Sequence, residues 1–237
     1  MNKKITVIYN NGEKVMVDIN TKIIDIVKTL PGDIQKKIIG AKIDNRLTGM
    51  DTKLKKDCTI DFIDKKDLAG YKMYQAGLKF IFLASVKDLY KKAKVSFDHS
   101  IMRGMHITLE TDRSLTTDDI LQIKKQMNAL IAEDLPILKL NVLSKEMVEY
   151  YNKIGDLACS ANILNVDYEL VNLYRLEKYY AYFYMEMPYS TGCCGDFDLA
   201  LLNSKELALL FLDEKAANQV PTNINYEKVI ECFRNEK

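Results

Sequence analysis

The hydrophobic pattern opens with two β-rich runs, residues 4–9 (KITVIY) and 14–18 (KVMVD), joined by Asn10-Asn11-Gly12-Glu13. Asn-Gly between two such runs predicts a hairpin. The period then changes: Ile23, Ile24, Ile26, Val27 and Leu30 fall on one helical face, with Thr21 as the expected cap and Pro31-Gly32 as the stop. Two strand-like pieces follow, 41–47 (AKIDNRL) and 58–63 (CTIDFI). The polar stretch 64–70 (DKKDLAG) is the expected domain boundary. Residues 71–90 read as a helix apolar nearly all round, which predicts a core helix. A strand pair is expected at 94–97 and 105–110. A helix is expected after Thr116, whose spacing to Asp119 suits a capping box, with Ile120, Ile123, Met127, Leu130 and Ile131 on one face until Pro136. A strand at 137–142 and a helix from Ser144, its expected cap, to Gly155 come next. The rest, to about residue 212, reads as short β-rich runs and turns. The sum is an α+β chain.

Composition narrows the function classes. The 237 residues are 48% hydrophobic and 28% charged, enough for packed cores, and the formal charge is +1, so no global field announces a nucleic-acid or membrane binder. Apolar runs such as 80–84 are far too short to span a bilayer, and no apolar signal segment follows the first lysines. A cytoplasmic protein without membrane association is expected. Cys58, Cys159, Cys193, Cys194 and Cys232 form no Cys-x-x-Cys pair and read as reduced thiols. Only His99 and His106 are available for imidazole chemistry.

The order of motifs resembles a known family arrangement. Residues 1–65, with 41–63 (AKIDNRLTGMDTKLKKDCTIDFI), resemble a TGS domain, a small β-grasp unit. Residues 83–95 (LASVKDLYKKAKV), 101–137 and 138–156 (LKLNVLSKEMVEYYNKIGD) resemble the editing domain that follows TGS in threonyl-tRNA synthetases. The resemblance implies residues 1–65 as the TGS domain and 66–237 as an editing-like α+β domain, helices on an antiparallel sheet, with a C-terminal connector. It also implies an editing site with a His-x-x-x-His and a Cys-x-x-x-His pair, and here that site is degenerate: the positions of the two pairs are Ala76, Phe80, Phe183 and Met187. None can hold a hydrolytic metal, so no metal and no editing catalysis are expected.

The same arrangement stands before a P-loop kinase in bacterial uridine kinase-like proteins, and 96–110 (SFDHSIMRGMHITLE), 188–202 (PYSTGCCGDFDLALL) and the tail 218–233 resemble that branch. This implies a regulatory or ligand-binding N-terminal region of a nucleoside kinase. The chain has no Gly-x-x-x-x-Gly-Lys-Ser/Thr run, so ATP and Mg are expected only for an attached C-terminal kinase domain.

His99, Arg103, His106, Ser190 and Thr191 are the candidate ligand-binding residues, for a nucleotide or RNA. His99 in Asp98-His99-Ser100 is expected on the surface, since adjacent residues of an extended segment do not converge as a triad. His106 is expected as a half-buried structural ring. Tyr179, Tyr180, Tyr182, Tyr184 and Tyr189 are expected to alternate about a strand whose outer face could stack bases, and Lys36, Lys37, Lys53, Lys55 and Lys56 read as a solvated face. Two rival functions stay open: an altered hydrolase using His99, His106 or Cys193, and an RNA-binding module acting alone.

Overall fold

The computed structural model describes residues 3–101, 104–166 and 168–212. It is mixed α+β and divides into two compact units: Met1–Gly77 with Leu135–Cys193, and Leu78–Asp134 with Cys194–Lys237.

The first unit opens with the predicted hairpin. Strands β1 (Lys4–Tyr9) and β2 (Lys14–Asp18) pair from Lys4↔Asp18 to Ile8↔Lys14, and Gly12 takes the left-handed conformation of the turn. Helix α1 (Ile23–Val27) carries the expected apolar face, but Lys22 is its N-cap. The Thr21 hydroxyl instead donates to the Asp18 carbonyl at 2.7 Å, closing the turn out of β2. Beyond Pro31 the chain makes the short helix α2 (Gly32–Gln35). The run 41–47 is not one strand. It folds into a hairpin of β3 (Gly40–Ile43) and β4 (Arg46–Thr48), because Asp44 and Asn45 both take positive φ.

Strand β5 (Cys58–Ile63) completes this sheet, in the order β2-β1-β5-β3-β4, parallel to β1 and antiparallel to β3. Ile5, Val7 and Ile60 close a core against Ile23, Ile26 and Val27 of α1, the β-grasp arrangement.

Helix α3 (Leu68–Leu89) starts where Asp67 accepts from Ala69 N–H at 2.8 Å. From Met73 to Val86 most of its residues are buried, as its largely apolar sequence predicts, with Gln75, Lys79 and Leu83 forming one half-buried stripe. Gly70 is required at its start. A Cβ there would lie 1.9 Å from the Asp64 carbonyl oxygen, a rigid backbone atom. Gly70→Ala is therefore expected to destabilise the first unit by about 2 kcal/mol or more, read as a drop in the urea midpoint.

The same unit contains a second sheet, β10-β9-β8, from β8 (Ile137–Leu143), β9 (Leu170–Leu176) and β10 (Tyr179–Tyr182), antiparallel throughout. Helix α5 (Ser144–Lys153) ends at Gly155 in the left-handed region, as expected. Its N-cap, however, is Leu143, and the Ser144 hydroxyl donates to the Tyr168 carbonyl. Helix α6 (Leu157–Leu164) replaces the β-rich run expected there; Asp156 caps it, accepting from Cys159 N–H at 3.0 Å. Met147 and Tyr151 of α5 and Ile163 of α6 pack on Val171 of the sheet.

The second unit is a four-stranded antiparallel sheet, order β11-β12-β7-β6, from β6 (Lys94–Ile101), β7 (Gly104–Glu110), β11 (Asp198–Leu201) and β12 (Glu206–Leu210). Helix α4 (Thr117–Ala132) has the predicted capping box between Thr116 and Asp119, and Lys124 ties it to Asp198 of β11 at 2.7 Å. From α3, Phe82 packs edge-on against Phe97 of β6, ring centroids 6.2 Å apart. Among the described residues no helix is long and apolar enough to cross a membrane.

Candidate functional site

The four positions that the resemblance assigns to editing chemistry are apolar, and three of them are buried. Ala76 and Phe80 lie inside α3, 0% and 1% exposed; Met187 is 5% exposed; Phe183 is half-buried. The strand expected across 179–189 stops at Tyr182, so Phe183 and Met187 lie in the irregular segment after β10. The chain bends there toward polar anchors. The buried Tyr174 hydroxyl donates to the Met185 carbonyl at 3.1 Å, and Lys139 forms an ion pair with Glu186. Burial, then the charge of Glu186, pushes the Tyr174 hydroxyl well above the usual phenol range.

Ser190 and Thr191 sit in the first unit, 5% and 0% exposed. Thr191 clamps the chain to Leu135: its hydroxyl accepts from Leu135 N–H at 2.9 Å, and its own N–H donates to the Leu135 carbonyl at 2.9 Å. The Ser190 hydroxyl lies 3.5 Å from the Cys193 thiol, which is 8% exposed and 3.9 Å from the Ile38 carbonyl. Both hydroxyls and the thiol therefore face protein. Arg103, Cys232 and the tail 218–233 lie outside the described residues.

His99 and His106 do come together, through a device that the sequence concealed. Phe97 pairs with Ile107 and Ser100 with Met105, so Asp98 and His99 of β6 jointly oppose His106 of β7. This two-against-one bulge interrupts the alternation that would send neighbouring side chains to opposite faces. His99 stacks on His106 with centroids 4.8 Å apart and planes 11° apart. Asp98 serves His106: Asp98 Oδ2 lies 2.9 Å from His106 Nδ1 and accepts from the Thr108 hydroxyl at 2.7 Å. Partial burial acts to raise the Asp98 pKa, but hydrogen bonds from Thr108, His106 and Ser96 outweigh it and hold the carboxyl below its usual range.

Glu206 Oε2 of β12 faces the other nitrogen, His106 Nε2, at 3.5 Å. A carboxylate thus lies on the side of each ring nitrogen of His106, hydrogen-bonded at Nδ1 and at ion-pair distance from Nε2. Sequence reasoning singled out the two rings but not Glu206, whose partnership depends on the β12–β7 pairing of Ala208 with His106. Lys79 was also missed: half-buried in α3, its ammonium lies 5.9 Å from the Phe97 ring centre, and burial lowers its pKa. Among the described residues no group of three or more His, Cys, Asp or Glu side chains is placed to hold a metal ion.

Two concave features stand out, both in the first unit. An open groove of about 810 Å³ in the β-grasp domain is lined by Tyr9, Asn11, Glu13, Pro31, Ile34 and Phe62 among others. A notch of about 60 Å³ is rimmed by Tyr168, Leu170, Tyr182, Phe183 and Tyr184, too small to enclose a nucleotide. Neither is lined by Ala76, Phe80 or Met187.

Comparison with known proteins places these features in context. Residues 5–64 match the TGS domain. Just under two thirds of the chain is similar to threonine–tRNA ligases. It is 27% identical over 153 residues to that of Natranaerobius thermophilus, covering 65% of this chain and 24% of the ligase, and 25% identical over 146 residues to that of Clostridium kluyveri, covering 62% and 23%. The ligase of Polaromonas naphthalenivorans is 24% identical over 156 residues, covering 65% and 25%. The match thus spans about a quarter of the length of these relatives.

Proposed function

We propose that the chain is a non-hydrolysing, RNA-binding counterpart of the synthetases' N-terminal region. The observation that carries this reading is the filling of the editing positions by Ala76, Phe80, Phe183 and Met187, three of them buried, in a chain that otherwise keeps the TGS domain and the synthetase-like sequence. Hydrolysis of an ester linkage needs an activated water and a base or metal to activate it. The replaced side chains supply neither. The relatives named above are ligases of a tRNA, which supports RNA as the partner retained when the chemistry is gone.

The altered-hydrolase reading is disfavoured by the same geometry, since His106 is bracketed by Asp98 and Glu206 and the Cys193 thiol is buried. Attachment to a nucleoside kinase rests on the short motifs of the sequence alone, and its check is whether the reading frame beyond Lys237 contains a phosphate-binding Gly-x-x-x-x-Gly-Lys-Ser/Thr run.

The chain mixed with seryl- and threonyl-tRNA is expected to release no amino acid above the uncatalysed rate, while binding tRNA with an affinity that falls steeply as salt rises. Hydrolysis that disappears on mutating residues around Met187 would overturn the proposal.

A further inference from the structure

The sheet β10-β9-β8 has one face only partly covered. Directly opposed residues of antiparallel strands project to the same side, so Leu138, Arg175 and Tyr180, paired in register across the three strands, share that face. At one end α5 and α6 cover it, packing on Val142, Val171, Leu173 and Tyr182. The end carrying Leu138 and Tyr180 is left open, with those side chains 39% and 43% exposed.

Arg175 sits between them on the central strand, half-buried, and its guanidinium makes no hydrogen bond or ion pair with any described residue. Every other outward position of the three strands is Leu, Val or Tyr, so no carboxylate shares the face with its guanidinium. The hairpin turn beside it carries Glu177 and Lys178, whose charges cancel.

A guanidinium retained without a counter-ion, on an apolar surface and beside an exposed phenol ring, matches a strand of alternating anionic and flat aromatic groups. We propose that this open sheet end binds single-stranded RNA, an unpaired base stacking on Tyr180 while Arg175 takes a neighbouring phosphate and Leu138 supports the base edge. The proposal rests on the RNA-binding reading above and adds its location. Duplex RNA does not suit the surface, because its bases are already stacked on one another.

Fluorescence anisotropy with a labelled ten-nucleotide single-stranded RNA and with deacylated tRNA tests it on the full chain. Tyr180→Ala is expected to weaken binding about tenfold. Arg175→Gln is expected to weaken it severalfold and to flatten the plot of log affinity against log salt by about 0.7, the share of one single-strand phosphate. Leu121→Ala, an exposed position in the other unit, is expected to bind like the parent. Thermal melting checks that each variant is folded. Parent-like binding by both Tyr180→Ala and Arg175→Gln would overturn the platform while leaving the RNA-binding reading intact. A parent chain that binds neither RNA at any salt would overturn both, and would leave the open face as a protein-docking surface.

Discussion

Asp119→Ala is expected to lower the stability of the second unit by about 3 kcal/mol, measured by urea unfolding at neutral pH. The carboxylate is 3% exposed and holds four groups. Arg113 clasps it with two nitrogens at 2.8 and 2.6 Å, the Tyr90 hydroxyl donates at 2.6 Å, and Thr116 donates from its N–H and its hydroxyl at 2.8 and 2.7 Å. Truncation removes one half of the α4 capping box and leaves the Tyr90 hydroxyl without its acceptor. Arg113, 60% exposed, can turn to water, so its share of the loss is small.

The pH dependence of this network has a defined sign. Arg113, then the hydrogen bonds of Tyr90 and Thr116, hold the Asp119 carboxyl far below the usual carboxylate range. In the unfolded chain it titrates near its ordinary value of about 4. Its contribution is therefore complete above about pH 4 and is lost as pH falls toward the folded-state value, because the unfolded chain takes up the proton first. Asp119→Asn is expected to be less stable than the parent at neutral pH, and the gap between them is expected to narrow below pH 4. The same network, through burial and then the hydrogen bond to Asp119, pushes the Tyr90 phenol up to about 12.

Phe80→Ala is expected to cost about 4 kcal/mol, with a clear loss of thermal midpoint. Phe80 is 1% exposed within the mostly buried middle of α3, so its removal leaves a cavity that the neighbouring turns of α3 cannot fill without breaking their own packing. Phe80→His reintroduces the residue type that the synthetase resemblance places there, yet it is expected to destabilise as well, because a buried imidazole nitrogen without a partner costs about 1–3 kcal/mol. It is not expected to confer hydrolysis of seryl-tRNA. A stable Phe80→His chain that gains hydrolysis would show that the site is dormant rather than filled.

Local signals were legible where the deciding interaction is itself local. Asn11-Gly12 marks its hairpin because the turn conformation needs those residues, and Thr116 and Asp119 form their capping box within one helical turn. The same reasoning misplaced the caps at Thr21 and Ser144, since each hydroxyl is drawn to a carbonyl outside its helix, Asp18 for one and Tyr168 for the other. It missed the turn at Asp44-Asn45 inside an apparent strand, and helix α6, whose short apolar run has no period long enough to separate helix from strand.

The candidate site divides along the same line. That Ala76, Phe80, Phe183 and Met187 cannot bind zinc or activate water follows from side-chain chemistry alone, and so does the absence of a phosphate-binding lysine loop. What those positions became, and what replaced them, required the fold. One bulge in β6 placed Asp98 and His99 together against His106, and the pairing of β12 with β7 brought Glu206 to the other side of that ring. Strand register alone aligned Leu138, Arg175 and Tyr180 across an uncovered face, from positions up to 42 residues apart in the chain. Composition and motif determined which chemistry the side chains at these positions cannot supply, because a group absent from a side chain is absent in any conformation. Tertiary structure decided which of the remaining groups meet, because charges and rings separated in sequence act together only when pairing and packing bring them within a few ångströms.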